Sequence, residues 1–432
     1  MNLARLNHIL IPETAEARAR ARRSRLGRLL GPLFWLFVAT TPQGQFALIL
    51  WCLVGGLGLE VGTTQIYLVW CVVTGVLLGS ALTRRWFGLD GVSAEVDVPR
   101  RVTVGQDANF AVRLVHKGSK AHHGVRVEGP YLPWDGRWVG EPPVVGALLP
   151  GRTAQVRSCA VFRARGSHHL ESFRASLVTP LGLFLGPAIW TGDARFLVVP
   201  RIARVARLAT PAVRRYQPGG IALASKTGES MEILGVRPYR AGDPVRDLHA
   251  RTWARIGAPA VRDYQEEYFT RLGVVVDTDT AVDERQFEAA LSLAAGVVAH
   301  LSRGESLIDL LVVGNTVHTL TLGRSLGFLD QALDLLACVT PGAPLRPGEL
   351  VQRLTPHISR LSCIVFVALR WDRARMEFAD RVRGMGVACR TLVVDAPARS
   401  GGATRAGTPP PVGVDLVHVP TQAIESGEAL LL

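Results

Sequence analysis

Apolar residues follow three different patterns along this 432-residue chain, and each pattern predicts a different kind of structure. Two almost continuous apolar runs, 46–61 and 66–82, each approach the ~20 residues that a membrane-spanning helix requires. Between residues 91 and 201, short runs alternate apolar and polar positions and are separated by Gly and Pro clusters, which is typical of antiparallel strands. From residue 272 onward, fully apolar strand-like runs alternate with amphipathic helical segments.

The two apolar runs predict a membrane hairpin over residues 29–85, with spans at about 44–62 and about 65–83. Residues 1–28 form a basic N-terminal segment, and the turn between the spans carries no arginine. The flanking arginines are Arg18, Arg20, Arg22, Arg23, Arg25 and Arg28 before the first span, and Arg84 and Arg85 after the second. By the positive-inside rule, both termini and the soluble domains lie in the cytoplasm. A cleaved signal peptide fits less well, because a second apolar run follows without a cleavage site.

The net charge of +13 would ordinarily suggest a nucleic-acid partner. Much of this charge lies beside the apolar runs, and no zinc-finger or RNA-binding motif accompanies it, so we predict no nucleic-acid binding. The six cysteines include no CxxC pair, which argues against a disulfide framework and agrees with a reducing compartment.

The remaining periods predict two soluble domains. Residues 90–201 read as a β-sandwich-like domain. Adjacent histidines at 122–123 and 168–169 point to opposite faces of a strand, so we favour structural roles over a metal site. Residues 269–396 read as an α/β Rossmann-like domain, because apolar strands alternate with helices and include one hairpin around residues 314–315. The tail, 397–432, is rich in Gly, Pro and Thr and is predicted to be loosely ordered.

Residues 202–268 form a linker that ends in a conspicuous arginine-rich motif. Its arginines are Arg237, Arg240, Arg246, Arg251, Arg255 and Arg262. They surround a Gly242-Asp243-Pro244 turn, and we expect Asp243 to N-cap a short helix that Pro244 opens. Guanidinium groups suit bidentate contacts with carboxylates or phosphates.

The motif reads Arg-x-Tyr-x-x-Gly-Asp-x-x-Arg, followed by Leu-His and Ala-Arg, and it resembles the signature of a bacterial family known as domain of unknown function 58. The matched positions are Arg237, Tyr239, Gly242, Asp243, Arg246, Leu248, His249, Ala254 and Arg255. Ala250 and Trp253 depart from the usual pattern. The resemblance implies a protein of the bacterial inner (cytoplasmic) membrane with a von Willebrand A-like domain. It also implies a MoxR-type AAA+ ATPase as partner.

In von Willebrand A domains, an Asp-x-Ser-x-Ser loop holds magnesium through oxygen ligands. The corresponding residues here begin with Asp277 and Asp279, but Ala281 removes the second hydroxyl. Asp372, after another predicted strand, is a further candidate ligand. Two carboxylates attract Mg²⁺ by charge, but we favour the alternative in which they cap a helix or bind loop amides.

Together these features predict a membrane-anchored, non-enzymatic scaffold or adaptor that works with the ATPase in chaperone-like assembly of envelope or metallo-complexes. There is no P-loop or HExxH motif to support catalysis. Two alternatives remain: a metal-dependent hydrolase that uses Asp277 and Asp279, and binding of acidic lipid headgroups by the N-terminal arginines. The interaction motif (Arg237, Tyr239, Gly242, Asp243, Arg246, His249 and Arg255) fits either a docking surface or an internal brace between domains.

Overall fold

A computed structural model describes most of the chain, which divides into two compact units. The first unit comprises Met1–Arg201 and Leu333–Val339, and the second comprises Ile202–Ala332 and Thr340–Leu432. Besides four isolated N-terminal positions, the described residues are 38–57, 66–209, 233–243, 245–264, 271–279, 282–304, 306–314, 317–322, 327–343, 346, 348–358, 360–396 and 415–432.

The first unit contains two apolar helices, α1 (Pro42–Leu57) and α2 (Ile66–Thr83), and α2 continues into a 3₁₀ turn at Arg84–Trp86. Within the described residues, the stretch Ile66–Trp86 is long and apolar enough to cross a membrane, and few of its residues are buried. Helix α1 has 16 residues, short of such a span, and residues 58–65 lie outside the described part of the chain. The helices pack together through stacked Trp51 and Trp70, whose ring centroids are 5.7 Å apart.

A sheet-rich domain follows the candidate span, as the alternating pattern predicted. Its strands are β1 (Val92–Asp97), β2 (Arg101–Thr103), β3 (Asp107–His116), β4 (His122–Glu128), β5 (Gly136–Val139), β6 (Val144–Leu148), β7 (Thr153–Phe162), β8 (Gly166–Leu170), β9 (Arg174–Leu177), β10 (Ile189–Trp190) and β11 (Ala194–Val199). They form two four-stranded antiparallel sheets, ordered β1-β3-β7-β5 and β10-β9-β4-β6, and a three-stranded sheet ordered β2-β11-β8.

The sheets of this domain share one hydrophobic core. Strand β3 shows how the sequence encodes it, because its residues alternate between exposed or half-buried and buried positions from Asp107 to His116. Phe110 is completely buried at the centre of an aromatic cluster that includes Trp138 and Phe196. The period of two therefore directs every second side chain into the core.

The second unit alternates strands and helices. Its strands are β12 (Val205–Arg207), β13 (Ile233–Pro238), β14 (Ala260–Tyr264), β15 (Arg271–Asp277), β16 (Leu307–Val313), β17 (Val317–Leu322), β18 (Cys363–Ala368), β19 (Ala388–Asp395), β20 (Asp415–Pro420) and β21 (Leu430–Leu431). Its α-helices are α3 (Ala250–Ile256), α4 (Glu284–Leu301), the first half of α5 (Gly327–Cys338), α6 (Glu349–Ile358), α7 (Arg373–Gly384) and α8 (Thr421–Ser426). The residues of α5 from Leu333 onward belong to the first unit.

Six of these strands form one sheet in the order β17-β16-β15-β18-β19-β20. All neighbours are parallel except β16 and β17, which form the antiparallel hairpin that the sequence predicted. Helices α6 and α7 cover one face, and α4 contacts β15, β18 and β19. Because helices cover both faces, the central strands β15 and β18 are apolar between their ends.

Two buried thiols lie in this sheet, Cys363 in β18 and Cys389 in β19. Burial raises the pKa of Cys363 to about 11 and that of Cys389 to about 12. Both side chains therefore remain protonated at neutral pH and act as small apolar groups.

One prediction about the end of the sequence is wrong. Residues 415–432 were expected to be loosely ordered, but β20 extends the six-stranded sheet and β21 pairs with β12. Strand β20 gains its hydrogen bonds from β19, which lies far away in sequence, so local composition did not reveal it. The rest of the predicted tail, 397–414, lies outside the described residues. The sequence analysis also did not predict helix α6, residues Glu349–Ile358.

Candidate functional site

The arginine-rich motif folds as a small unit that we call the signature hairpin, residues 233–264. Strands β13 and β14 pair antiparallel, with Arg237 opposite Val261. Between them lie a 3₁₀ turn at Val245–Asp247 and the short helix α3. Gly257, in the left-handed conformation, ends α3 and returns the chain to β14. The motif therefore begins in β13, follows the connection of a β-hairpin and ends in β14.

Asp243 organises the turn that follows β13. Its carboxylate accepts two hydrogen bonds from the guanidinium of Arg237, at 2.7 and 2.8 Å, and a third from the backbone N–H of Arg240 at 2.8 Å. The hydrogen bond from Arg237 is the main reason that the pKa of Asp243 falls to about 2. Gly242 beside it has φ 108°, a conformation that favours glycine. Arg237, Gly242 and Asp243 thus form an internal brace.

The expectation that Asp243 caps a helix is wrong. Its oxygens already bind Arg237 and Arg240, and the chain next makes the 3₁₀ turn and a β-bridge between Leu248 and Val261. Helix α3 begins only at Ala250, and its cap is His249, whose Nδ1 accepts a hydrogen bond from the Thr252 N–H at 3.2 Å. Pro244 lies outside the described residues.

The outer surface of the signature hairpin combines positive charge with apolar side chains. Its exposed arginines are Arg240, Arg246, Arg251, Arg255 and Arg262. Its exposed large apolar residues are Val236, Tyr239, Val245, Trp253 and Ile256. Arg246 is 84% exposed and lies 3.9 Å from Asp247, too far for a strong ion pair. Most of the motif's arginines therefore face solvent, whereas Arg237 is used internally.

A second cluster of charged groups lies where β15 ends. Asp277 closes the strand and Asp279 follows in the next loop. Arg375 of α7 contacts both: its Nε and Nη2 lie 3.0 and 2.8 Å from Asp277 Oδ2, and its Nη2 lies 2.7 Å from Asp279 Oδ2. Its Nη1 donates to Asp372 at 2.8 Å. The side chains of Arg375, Asp277 and Asp279 are completely buried.

The electrostatics of this cluster keep Arg375 charged. Burial raises the pKa of Asp277, although the charge and hydrogen bonds of Arg375 oppose this effect. For Arg375, burial disfavours the cation, but the charge of Asp277 and the hydrogen bond to Asp279 outweigh burial and raise its pKa. Arg370 also binds Asp279. Two guanidinium groups therefore neutralise most of the charge of three carboxylates.

These residues do not fit a magnesium ion. Mg²⁺ requires near-octahedral oxygen ligands at about 2.0–2.1 Å, but here the oxygens of Asp277, Asp279 and Asp372 converge on guanidinium nitrogens. No group of three or more His, Cys, Asp or Glu side chains suited to a metal occurs among the described residues. The guanidinium of Arg375 thus lies between the carboxylates, in the position that a bound metal ion would need.

The roles expected for these carboxylates need partial correction. Asp277 does accept a loop amide, the Asp279 N–H at 3.2 Å, but α4 begins after Asp283, so neither Asp277 nor Asp279 caps it. Asp372 is the residue that caps a helix, because it accepts the Arg375 N–H at 3.2 Å. Sequence reasoning missed Arg375. The available signal was its helical spacing with the buried residues Ala379 and Val382, which places an arginine on an apolar face.

The histidine pairs have structural partners. His122 is buried in β4 and its Nε2 lies 3.3 Å from the Asp90 carbonyl oxygen. His168 of β8 binds Asp135, with 2.9 Å between Nε2 and Oδ2. Neighbouring His123 and His169 are both exposed, on the opposite strand face. The described residues therefore place each pair across a strand rather than at one site.

His168 gives the sheet-rich domain an expected pH dependence. Burial disfavours its charged form, but the hydrogen bond and charge of Asp135 outweigh burial, so its pKa is raised. The stabilisation is fully present below the ordinary histidine pKa of about 6.5 and is lost as pH rises through the raised, folded-state pKa. Calorimetry of the full chain in detergent should show the melting temperature falling as the pH is raised above about 6.5. His168→Gln should reduce this slope and exposed His123→Gln should retain it; an unchanged slope in His168→Gln contradicts the assignment.

Comparison with known proteins adds no functional information. No family model and no curated protein matches this chain. Among solved structures, part of Escherichia coli alpha-2-macroglobulin, from domain MG7 onward, is similar over 29% of this chain and 21% of that chain, with 13% identity and a TM-score of 0.20. A Vibrio harveyi GH20 exo-β-N-acetylglucosaminidase is similar over 71% of this chain and 57% of that chain, with 10% identity and a TM-score of 0.17. This chain thus spans less than two thirds of either structure, and such scores carry no argument about fold or activity.

Proposed function

We propose that this protein is a membrane-anchored, non-enzymatic adaptor that binds its partner through the signature hairpin. The observation that carries the proposal is the exposed surface of that hairpin, on which five arginines accompany Tyr239, Trp253 and three aliphatic residues. Arginine and aromatic residues contribute most of the binding energy at many protein interfaces. The brace between Arg237 and Asp243 holds this surface in one shape before binding, which lowers the entropic cost of association.

The anchor in this proposal is a two-helix hairpin formed by α1 and α2. Support comes from their mutual packing, including the 2.7 Å hydrogen bond from Trp51 Nε1 to Thr74 Oγ1, and from exposed apolar residues such as Phe46, Leu53 and Val72. Outward-facing apolar side chains suit contact with lipid. Arg84 and Arg85 at the end of α2 favour a cytoplasmic location for the soluble domains, at the bacterial inner membrane.

The proposed partner is a MoxR-type AAA+ ATPase, and the role is chaperone-like assembly of envelope or metallo-complexes. The resemblance of the signature motif to the domain of unknown function 58 family supports this partner. The mostly parallel six-stranded sheet with one antiparallel edge is compatible with a von Willebrand A-like domain. The positive hairpin predicts an acidic docking surface on the ATPase.

The docking and bracing roles of the motif are divided between different residues in this proposal. Arg237 and Asp243 brace the turn, whereas Arg246 and Arg255 project into solvent and are assigned to docking. The alternative hydrolase would need Asp277 and Asp279 free to hold a metal, but Arg375 binds both. No specific observation favours headgroup binding by the N-terminal arginines, most of which lie outside the described residues.

The test is affinity capture from native membranes, followed by binding of the purified ATPase to the protein in detergent. Reversing charge with Arg246→Glu and Arg255→Glu together, or removing the aromatic ring with Trp253→Ala, should weaken binding about tenfold or more. Arg113→Glu, an exposed arginine on β3 of the sheet-rich domain, is the matched control and should bind normally. Undiminished ATPase binding by the folded hairpin variants would overturn the proposed docking surface.

A further inference from the structure

A loop of the sheet-rich domain, residues 179–186, is hydrogen-bonded to the chain that enters α1. The Thr41 N–H donates to the Leu183 carbonyl at 3.0 Å, and the Leu185 N–H donates to the Ala39 carbonyl at 2.8 Å. Thr40 and Phe184 form a β-bridge between these two bonds. This backbone pairing holds the loop against the first residues of α1.

The same region also contacts the other end of the helix pair. The guanidinium of Arg84, directly after α2, donates to the Leu185 carbonyl. Arg174 of β9 donates to the Val38 carbonyl at 2.7 Å. The start of α1 and the end of α2 therefore lie together, at one side of the domain. If these helices cross a membrane, this side of the domain faces the lipid headgroups.

Three large apolar side chains are exposed around these helix ends. Leu181 is 61% exposed and precedes Gly182, whose carbonyl accepts the Thr41 hydroxyl. Trp190 is 59% exposed and lies directly opposite Arg174 in the β9–β10 register, on the strand face from which Arg174 reaches Val38. Trp86, at the end of the candidate span, is 77% exposed. We call Trp86, Leu181 and Trp190 the membrane-facing rim.

We infer that this rim inserts into the headgroup region of the membrane that holds the helices, so that the sheet-rich domain is seated on the bilayer and not merely tethered to it. Tryptophan is enriched at the membrane interface because its ring is apolar and its N–H is polar. Arg84 and Arg85 add attraction to anionic lipid. The occupant of this surface is lipid, since its apolar residues continue directly from the helix ends. The inference rests on the membrane anchor of the proposed function.

Insertion of the rim can be tested by fluorine NMR. The full chain is labelled with 5-fluorotryptophan and reconstituted in nanodiscs that contain anionic lipid. Resonances are assigned with Trp86→Phe and Trp190→Phe. A headgroup-spin-labelled lipid should broaden the Trp86 and Trp190 resonances roughly twofold more than that of half-buried Trp138, which packs on the domain core. Leu181→Trp should add a resonance that broadens in the same way. Exposed Trp253 of the signature hairpin provides a solvent-accessible reference.

A lipid spin-labelled in the acyl chain separates failure of the rim from failure of the anchor. Trp51 and Trp70 of the helix pair should be broadened strongly by this second probe. Suppose that they are broadened, but that the headgroup label broadens the resonances of Trp190 and of Leu181→Trp no more than that of Trp138. Insertion of the rim into the headgroup region is then wrong, and the membrane anchor is retained. If Trp51 and Trp70 are not broadened either, the membrane anchor itself is wrong.

Discussion

Replacing Arg375 with methionine is expected to lower the free energy of unfolding of the second unit by about 3–5 kcal/mol, because the change leaves buried carboxylates without their cation. Arg375 is completely buried and donates to Asp277, Asp279 and Asp372. Methionine keeps an unbranched apolar stem and so retains packing along the arginine stem, which leaves the loss of the charge and its hydrogen bonds as the main effect. The measurement is denaturant unfolding of the full chain in detergent, with hydrogen exchange of β15 and β18 to locate the destabilised unit.

Arg373→Met is the matched control for this prediction. Arg373 lies two residues earlier on α7, is 81% exposed and pairs with Glu377 on the helix surface. Exposed pairs of this kind contribute about 0–1 kcal/mol, so the control should unfold almost as the wild type does. Since Arg375 supplies the charge at this site, removing divalent metal with a chelator should leave wild-type stability unchanged. Chelator-induced destabilisation would contradict the assignment of Arg375 as the resident cation.

Phe110→Ala is expected to destabilise the sheet-rich domain by about 3–5 kcal/mol, the range for removing a buried aromatic ring. Phe110 is completely buried, and its ring centroid lies 5.6 Å from Phe196, 5.8 Å from Trp138 and 6.2 Å from Phe173. Its loss opens a cavity between strands that cannot move together without breaking their hydrogen bonds. Unfolding curves with hydrogen exchange of β3 and β7 measure the effect.

The control for the core is Val144→Ala. Val144 is 57% exposed on β6 of the same domain, so this substitution should change the free energy of unfolding by about 0.5 kcal/mol or less. Equal effects of Phe110→Ala and Val144→Ala would mean that the aromatic cluster is not the core of the domain. Near-native exchange protection of β3 in Phe110→Ala would lead to the same conclusion.

Strands and helices were predictable from the sequence where the spacing of their own apolar residues shows which side chains are buried. The apolar run before Asp277 predicted a central strand, and β15 is observed there. The amphipathic segments expected after residue 272 include α4, and the hairpin expected around residues 314–315 is the β16–β17 pair. These features were predictable because the spacing of apolar residues within each segment differs between a helix and a strand.

Features that depend on distant partners were not predictable. Asp277 and Arg375 are far apart in sequence, so their ion pair follows only from the fold. Asp243 had the correct residue type for a helix cap, but its carboxylate pairs instead with Arg237, a choice of partner that residue type alone does not reveal. Strand β20 depends on hydrogen bonds from β19 across the segment 397–414. In each case pairing with a particular residue or strand overrode or replaced the local preference.

The pairing of β12 with β21 has a consequence for biosynthesis. Val205 lies opposite Leu430, so β12 leaves the ribosome long before its partner strand has been made. The sheet-rich domain, with strands between residues 92 and 199, contains most of its own hydrogen-bonding partners by the time β12 emerges. Because domains are completed in the order of synthesis when their contacts permit, the second unit must wait for residues 415–431 before its sheet edge and β12 are paired. Nascent chains stalled before residue 415 should therefore carry a folded sheet-rich domain beside a second unit that remains a client for chaperones.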